Sequence, residues 1–466
     1  DGGGLVTLSG NNATRLFFVG GGYTLVARNI TLTRGLSPVG GALVESAGAY
    51  LHFDHVRLTD SRADAQGGAI YCFGGTDGTL TLTDTVVSGN HAGRGSGIYN
   101  DGCDAVISRS SFLDNTAILT ATSRIGGGLY AAGPVRITAS TFSGNSALDG
   151  GGLFVAAGYT ATVVTTTFSD NTAGYGGAIE NSGAVTVTAS LLDRNTVTGS
   201  GGGLWNLNGA VWMSRTTLSG NTAGEGGGLN SYGSTVYLQD VNVLNNRATN
   251  TDGGGIYHGG GTLFVTNATV SGNVAERNGG GVFQNSDDNL VLNSVTISGN
   301  RALQLGGGLY HQRRYMVLNN VTLGDNDADV AGAAIYENAV VTVSEPGQIN
   351  AANVLIFGAV NNCDGEMFLS VGHNVTAGTC ASFTQPSGQT VTDARMGLLG
   401  FNGGSFAMGT YLPLLGSPVI DAGDPGICAS YAVEDQRGGA RVGTCDTGAV
   451  EFGSQLPMLW LAALLR

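Results

Sequence analysis

The residues suited to chemistry are few, and their spacing decides what they could do. The densest polar stretch is LHFDHVRLTD at residues 51–60, which gathers His52, Asp54, His55 and Arg57. A base, a carboxylate and a cation are the parts of a proton-abstracting site, and a carboxylate with an imidazole is also a metal-ligand set. Read as one strand, however, the stretch sends His52 and Asp54 to one face and His55 and Arg57 to the other, so the set is split. Asp252, in NTDG at 250–253, and the pair Asp287 and Asp288 are carboxylates of the kind that work in pairs on glycosidic bonds. Arg313 and Arg314 make YHQRRY at 310–315 a small basic patch. Asp421, Asp424, Asp435 and Asp446 form a late acidic group that could hold calcium, although turn-shaping hydrogen bonds are the default for such aspartates. We expect no catalytic residue, no cofactor and no committed metal site.

The stretch TLSGNTAGEGGGLN at 217–230 resembles a phosphate-binding loop until its recurrence is noticed. Aligning on the aliphatic residue after the glycines gives Leu43, Ile70, Ile98, Leu129, Leu153, Ile179, Leu204, Leu229, Ile256, Val282, Leu309 and Ile335, at intervals near 26. Asn90, Asn115, Asn145, Asn171, Asn195, Asn221, Asn246, Asn273, Asn300 and Asn326 recur at the same period. Two ladders at one period mean one repeating unit. Within it, short alternating runs such as 203–205, 210–213 and 217–219 sit between Asn, Gly and Ser, which reads as three short strands and three turns. Such a unit cannot bury its apolar face alone, so it must stack.

The elements that position these residues are therefore the coils of an all-β, right-handed, single-stranded parallel β-helix, with about 13 coils of about 26 residues. Glycine supplies corners by tolerating positive φ and close approach of the next coil. Asparagine at the preceding corner would tolerate the left-handed region and bond to its own copy one coil away. Tyr71, Tyr99, Tyr130, Trp205, Tyr257, Tyr310 and Tyr336 repeat beside the glycines as an external ladder, which we expect to stack on itself.

Composition narrows the function. The chain has 80 glycines in 466 residues, only 12% charged residues and a net charge of −14; its 20 basic residues are all arginine. No clustered basic face for nucleic acid is present in the sequence. Cys363 and Cys380, like Cys428 and Cys445, are 17 residues apart, and Cys72 and Cys103 lie about one repeat apart, so we expect disulfides and an oxidising, extracellular compartment. The two later pairs are the firmer assignment, because Cys72 and Cys103 sit at different offsets from their aliphatic anchors.

GGAI at 67–70 and 176–179, with FxxN at 112–115, 142–145 and 168–171, resembles the repeat pair of the polymorphic outer-membrane proteins, over roughly residues 40–340. NNCDG at 361–365, GSPVIDAGDPGIC at 416–428 and DQRGGARVGTCDTGAVEF at 435–452 resemble the choice-of-anchor type Q module of bacterial secreted β-helix proteins. The resemblance implies a surface-associated bacterial protein and implies no catalysis. Polygalacturonases, which share the β-helix, carry NTD, DD, GHG and RxK; here GHG is absent and RxK is impossible without lysine.

These observations predict a β-helix over 1–350, a last coil and small disulfide-bonded module over 351–453, and a short apolar tail over 454–466. The expected role is structural or adhesive at a cell surface, the competing role a polysaccharide-binding module or pectate-lyase-like enzyme. DGGGLVTLSG at 1–10 carries no cap, so either a cap precedes Asp1 or the open end accepts another molecule's tail in a head-to-tail homopolymer. No run reaches the length of a transmembrane segment.

Overall fold

A computed structural model describes the chain apart from residues 76, 119–122, 286–287, 313–314, 339–347, 366–367, 381–382, 384–386, 405, 455 and 457–466. Contacts divide it into two compact units, Asp1–Trp212 with Ser219–Gly224, and Met213–Leu218 with Glu225–Arg466. Each consists of parallel coils of the right-handed β-helix. One coil of the first unit shows the plan: strands Ile98–Asp101, Asp104–Ser108, Ser111–Leu113 and Thr116–Ala117. There are thus four strand segments per coil where the sequence showed three, because the pair Thr116–Ala117 is too short to display alternation. Alternate residues face inward. Ala105, Ile107 and Phe112 are fully buried, and Phe112, Phe142 and Phe168 stack inside with centroids 4.4 and 4.8 Å apart.

Stacking is in register. Ile98 lies opposite Leu129, Leu129 opposite Leu153 and Leu153 opposite Ile179. The exception is the first anchor, since Ile70 pairs with Val44 and not with Leu43. The carbonyl of Ala69 accepts both the Leu43 and the Val44 amides, at 3.0 and 3.1 Å, so that coil absorbs an extra residue at its corner.

Three corners per coil are left-handed, and they differ sterically. At the corner before the aliphatic anchor only glycine fits: a Cβ on Gly226 would lie 2.7 Å from both the Leu229 carbonyl and the Asn230 Cβ. Its neighbour Gly228 serves close approach, with the Gly255 carbonyl of the next coil 2.7 Å from where its Cβ would be. The corner before the ladder asparagine is not closed by backbone: a Cβ on Gly299 would meet nothing within 4 Å, and one on Gly89 or Gly144 would come close only to the side chain of Asp60 or Asp114. That corner is accordingly filled by Asp114, Asp170, Arg194, Asn245 or Asp325, all near φ +50°. The remaining corner carries His55, Asp84, Arg109, Ala139 and Thr165 at similar φ. Such φ values are unfavourable for non-glycine residues and persist because strand pairing on both sides fixes them.

The asparagine ladder therefore needs a correction. The left-handed residue is the one before each asparagine; the asparagine itself turns inward and is buried. In the first unit Asn90, Asn115, Asn145, Asn171 and Asn195 each donate from Nδ2 to the Oδ1 of the next, ending at Asn221, at 2.9–3.0 Å. In the second unit Asn246, Asn273 and Asn300 do the same, ending at Asn326. The second Nδ2 hydrogen goes to a backbone carbonyl, as from Asn145 to Phe112, and the same Oδ1 also takes a backbone amide. A buried amide is stable here because each of its polar atoms is used.

Cys72 joins Cys103, Cys363 joins Cys380 and Cys428 joins Cys445, with Cα separations of 6.1, 4.9 and 6.6 Å. The unequal offsets of Cys72 and Cys103 are reconciled by Asn100, which is in register with Cys72. Its side chain accepts from the Cys103 amide and donates to the Cys103 carbonyl, both at 3.0 Å, and so folds the chain back over Cys72.

Within the second unit the late segment packs as a small irregular module. Its one helix among the described residues, Pro425–Tyr431, is N-capped by Asp424, whose carboxylate accepts the Gly426 amide at 2.7 Å. Two buried ion pairs hold the module, Arg437 with Asp435 at 2.6 Å and Arg441 with Glu451 at 3.2 Å.

Candidate functional site

The short strands that follow the His55-type corner present hydroxyls outward. In the first unit Thr7, Thr31 and Arg57 stand in one register column, and Ser9, Thr33, Thr59 and Ser88 in the column beside it. Neighbouring coils are about 4.8 Å apart, and residues two apart on a strand about 6.5 Å, so the hydroxyls form a grid. Thr59 donates to Thr33 at 3.1 Å across the coils. Arg34 and Asp60 rise from the left-handed corner at the edge. Together these groups line an open trough of about 580 Å³.

Arg34 and Arg57 give the trough its positive charge. Arg15, Arg62, Arg109 and Arg194 of the same unit each hold a carboxylate. Arg34 and Arg57 make no ion pair among the described residues, and both are exposed. An extended polar surface with two uncommitted guanidiniums can bind an extended, hydroxyl-rich anion.

The same register columns in the second unit are covered. Thr269, Thr296 and Thr322 stand in one column, Ser271 and Ser298 in the other. Gln436 donates to Thr269 at 2.9 Å and accepts from Thr296 at 2.5 Å. Thr269 donates to the Gly409 carbonyl at 2.8 Å, Ser298 meets the Tyr411 hydroxyl at 2.6 Å, and Thr322 accepts the Ala449 amide at 3.0 Å. The late module thus docks on this face through its hydroxyls.

The residues singled out from sequence fall elsewhere. His52 and Asp54 do share the outer face of strand Tyr50–Asp54, but the strand ends there and His55 occupies a left-handed corner. Alternation fails at that point, so His55 is not on the opposite face. Its Nδ1 lies 2.7 Å from Asp54, its Nε2 lies 3.9 Å from Asp84, and the three offer ligand atoms within 4.8 Å of one another. Arg109 already grips Asp84 with both arms, at 2.8 and 2.9 Å, and holds its carboxyl below the usual range. Three donors, of which only His55 is exposed, with a competing guanidinium fall short of the six to eight oxygens that calcium takes.

Asp252 is buried before strand Ile256–His258 and is paired with Arg277 at 2.7 Å, whereas Asp288 accepts the Gly261 amide beyond the other end of that strand. They do not share a cleft. Asp287, Arg313 and Arg314 lie outside the described residues, as does the tail from 457. Three of the four late aspartates accept backbone amides: Asp446 from Asp421 and Phe452, Asp435 from Arg437, Gly439 and Glu451, and Asp424 from Gly426. Burial raises the Asp446 carboxyl to about 6.

The aromatic ladder stacks on itself and is less external than its outward register suggests. Tyr257, Phe283 and Tyr310 stack at 5.0 and 4.7 Å and are buried, so their ring faces are occupied by one another. In the first unit Glu180 interrupts the column between Phe154 and Trp205. Tyr175 stacks on Trp205 at 4.5 Å, and Glu180 is buried with Oε2 lacking a partner. Burial, with the charge of Asp149, pushes its carboxyl up to about 9. Sequence reading missed both Glu180 and the trough, although the recurrent Thr-x-Thr and Thr-x-Ser spacing of 31–33 and 141–143 was visible.

In-register parallel coils with three left-handed corners define a right-handed parallel β-helix protein carrying a polar docking face. Residues 40–223 match the family model described as the right handed beta helix region. No curated protein matches the chain.

Proposed function

We propose that the protein is an extracellular adhesive scaffold that binds anionic polysaccharide along the hydroxyl trough of its first unit. The carrying observation is the pair Arg34 and Arg57, uncommitted in a trough lined by Thr31, Thr33, Thr59 and Ser88. The use of the equivalent columns in the second unit to hold the late module supports the reading, since the same hydroxyls there already hold a chain segment. Three disulfides and the scarcity of charged residues fit an extracellular setting, and no helix among the described residues is long and apolar enough to cross a membrane. The role is binding without cleavage, because no carboxylate pair faces the trough; Asp60 is its single acid.

Biolayer interferometry against neutral, uronate and sulfated polysaccharides tests this, with reducing and unsaturated ends assayed in the same samples. Binding to the anionic polymers should weaken with salt and fall at least tenfold in Arg34→Ala/Arg57→Ala at unchanged Tm. Binding indifferent to both arginines would sink the reading, and new chain ends would replace it with an enzyme.

A further inference from the structure

From Ile70 onward the second residue after each aliphatic anchor faces the interior, and this column changes character between the units. In the first unit it includes Cys72, Asn100, Asn181 and Asn206, none of them ionisable, since Cys72 is tied up in its disulfide. In the second unit it runs Ser231, His258, Gln284, His311 and Glu337, each opposite the next. The first four are fully buried and Glu337 is 3% exposed. Three ionisable side chains therefore stand in one line inside a β-helix core.

The groups around His258 are specific. Ser231 and Gln284 flank it along the column; Gln284 donates to the Asp288 carbonyl at 3.0 Å. Beyond Gln284, His311 Nδ1 lies 3.8 Å from Glu337 Oε1. Asp288 is the carboxylate acting on His258, the Gly261 backbone also faces its ring, and no side chain bonds to either ring nitrogen. The strands that carry the column bear Tyr257, Phe283 and Tyr310 on their other face.

We propose that this column is an acid-sensitive latch confined to the second unit, in which proton uptake by His258 opens the strands Ile256–His258, Val282–Gln284 and Leu309–Gln312. A proton taken from solvent onto a ring nitrogen places a positive charge in the core, where Asp288 offsets only part of the cost. Burial lowers the His258 pKa from 6.5 to about 4, against smaller opposing effects of the Gly261 backbone and Asp288. The sign follows from linkage. The closed form stays neutral while the open form titrates near 6.5, so closure is complete above that pH and weakens as pH falls toward 4. Between pH 7.5 and 5 the opening equilibrium should rise about 30-fold. Such sub-global opening is what amide exchange reads.

Hydrogen exchange of the full chain at pH 7.5 and 5.0, with times scaled to the chemical exchange rate, tests the latch. Peptides covering 256–258, 282–284 and 309–312 should lose protection about 30-fold in acid and recover on return to pH 7.5. Peptides covering 98–101 and 129–132, strands of the first unit that do not pair with the Glu180 strand, serve as the internal reference and should not change. His258→Asn installs the residue that Asn100 and Asn181 supply at the same register and should abolish the acid response; His258→Gln is the second neutral variant. Equal loss in both units, no loss at pH 5, or acid sensitivity retained in both variants would each overturn the proposal.

Discussion

The hydroxyl face is built twice, once open and once covered. Thr31, Thr33 and Thr59 of the first unit line a trough, whereas Thr269, Thr296 and Ser298 of the second bond to Gln436, Gly409 and Tyr411. Backbone register is the same in the two places. The difference lies in what the chain sets against the face, and it teaches that a coil position specifies a direction and a degree of burial while its chemistry stays free. The interior column makes the same point with His258 and Glu337 standing where the first unit has amides and a disulfide.

If the second unit's face is held by the late module, breaking the module from within should have the largest effect. Asp435 is fully buried and accepts from the Arg437 guanidinium at 2.6 and 3.0 Å, from three backbone amides and from Ser454. Asp435→Ala leaves the Arg437 charge buried and alone, at a cost of about 3–5 kcal/mol. Chemical denaturation should show this loss together with increased exchange at 269–271 and 296–298, while the first unit's trough keeps its ligand. Retained protection at 296–298 would mean that the hydroxyl bonds do not depend on the module's ion pairs.

A second prediction concerns an ionisable residue that the first unit does bury. Glu180 is held neutral with a pKa of about 9, so the unfolded chain releases its proton above about 4.5 and the folded chain does not. Folding therefore loses stability as pH rises through that window. The unfolding free energy of Glu180→Gln relative to the parent chain should grow by about 3 kcal/mol between pH 4 and pH 7. Using the change with pH removes any constant cost of the new amide. A flat difference would show that Glu180 reaches solvent or a partner.

How much of this was legible in sequence depended on whether period or environment carried the signal. The β-helix was legible because Ile98, Leu129 and Leu153 are buried at every turn by the same neighbours, and burial forces an aliphatic residue each time. The glycine before each anchor was legible for a steric reason, since a Cβ at Gly226 collides with Leu229. The left-handed corner at His55 was not, because that corner is occupied by His, Asp, Arg, Ala or Thr in successive coils and leaves no consistent residue to read. Misplacing that corner is what split His52, Asp54 and His55 wrongly. Glu180 and His258 were hidden for another reason: each breaks a column of its own neighbours, so periodicity argues against noticing it. The trough depends on Arg34 lacking a carboxylate partner, which no spacing reveals.

The smallest predicted effect compares the two faces directly. Thr296 and Thr167 occupy equivalent positions, two residues after the left-handed Ser294 and Thr165, in Thr296-Ile297-Ser298 and Thr167-Phe168-Ser169. Thr296 donates to the buried Gln436 Oε1, while Thr167 is half-buried. Thr296→Val removes that donor and leaves the Gln436 oxygen unsatisfied, at a cost of about 1–2 kcal/mol. Thr167→Val keeps the β-branched shape on a half-exposed strand and should change stability by less than about 0.5 kcal/mol. Paired denaturation curves decide the matter. Equal losses would mean that threonine serves the strand itself at both positions, and the hydroxyl grid would lose its standing as a docking surface; unequal losses would tie the cost to what the face holds.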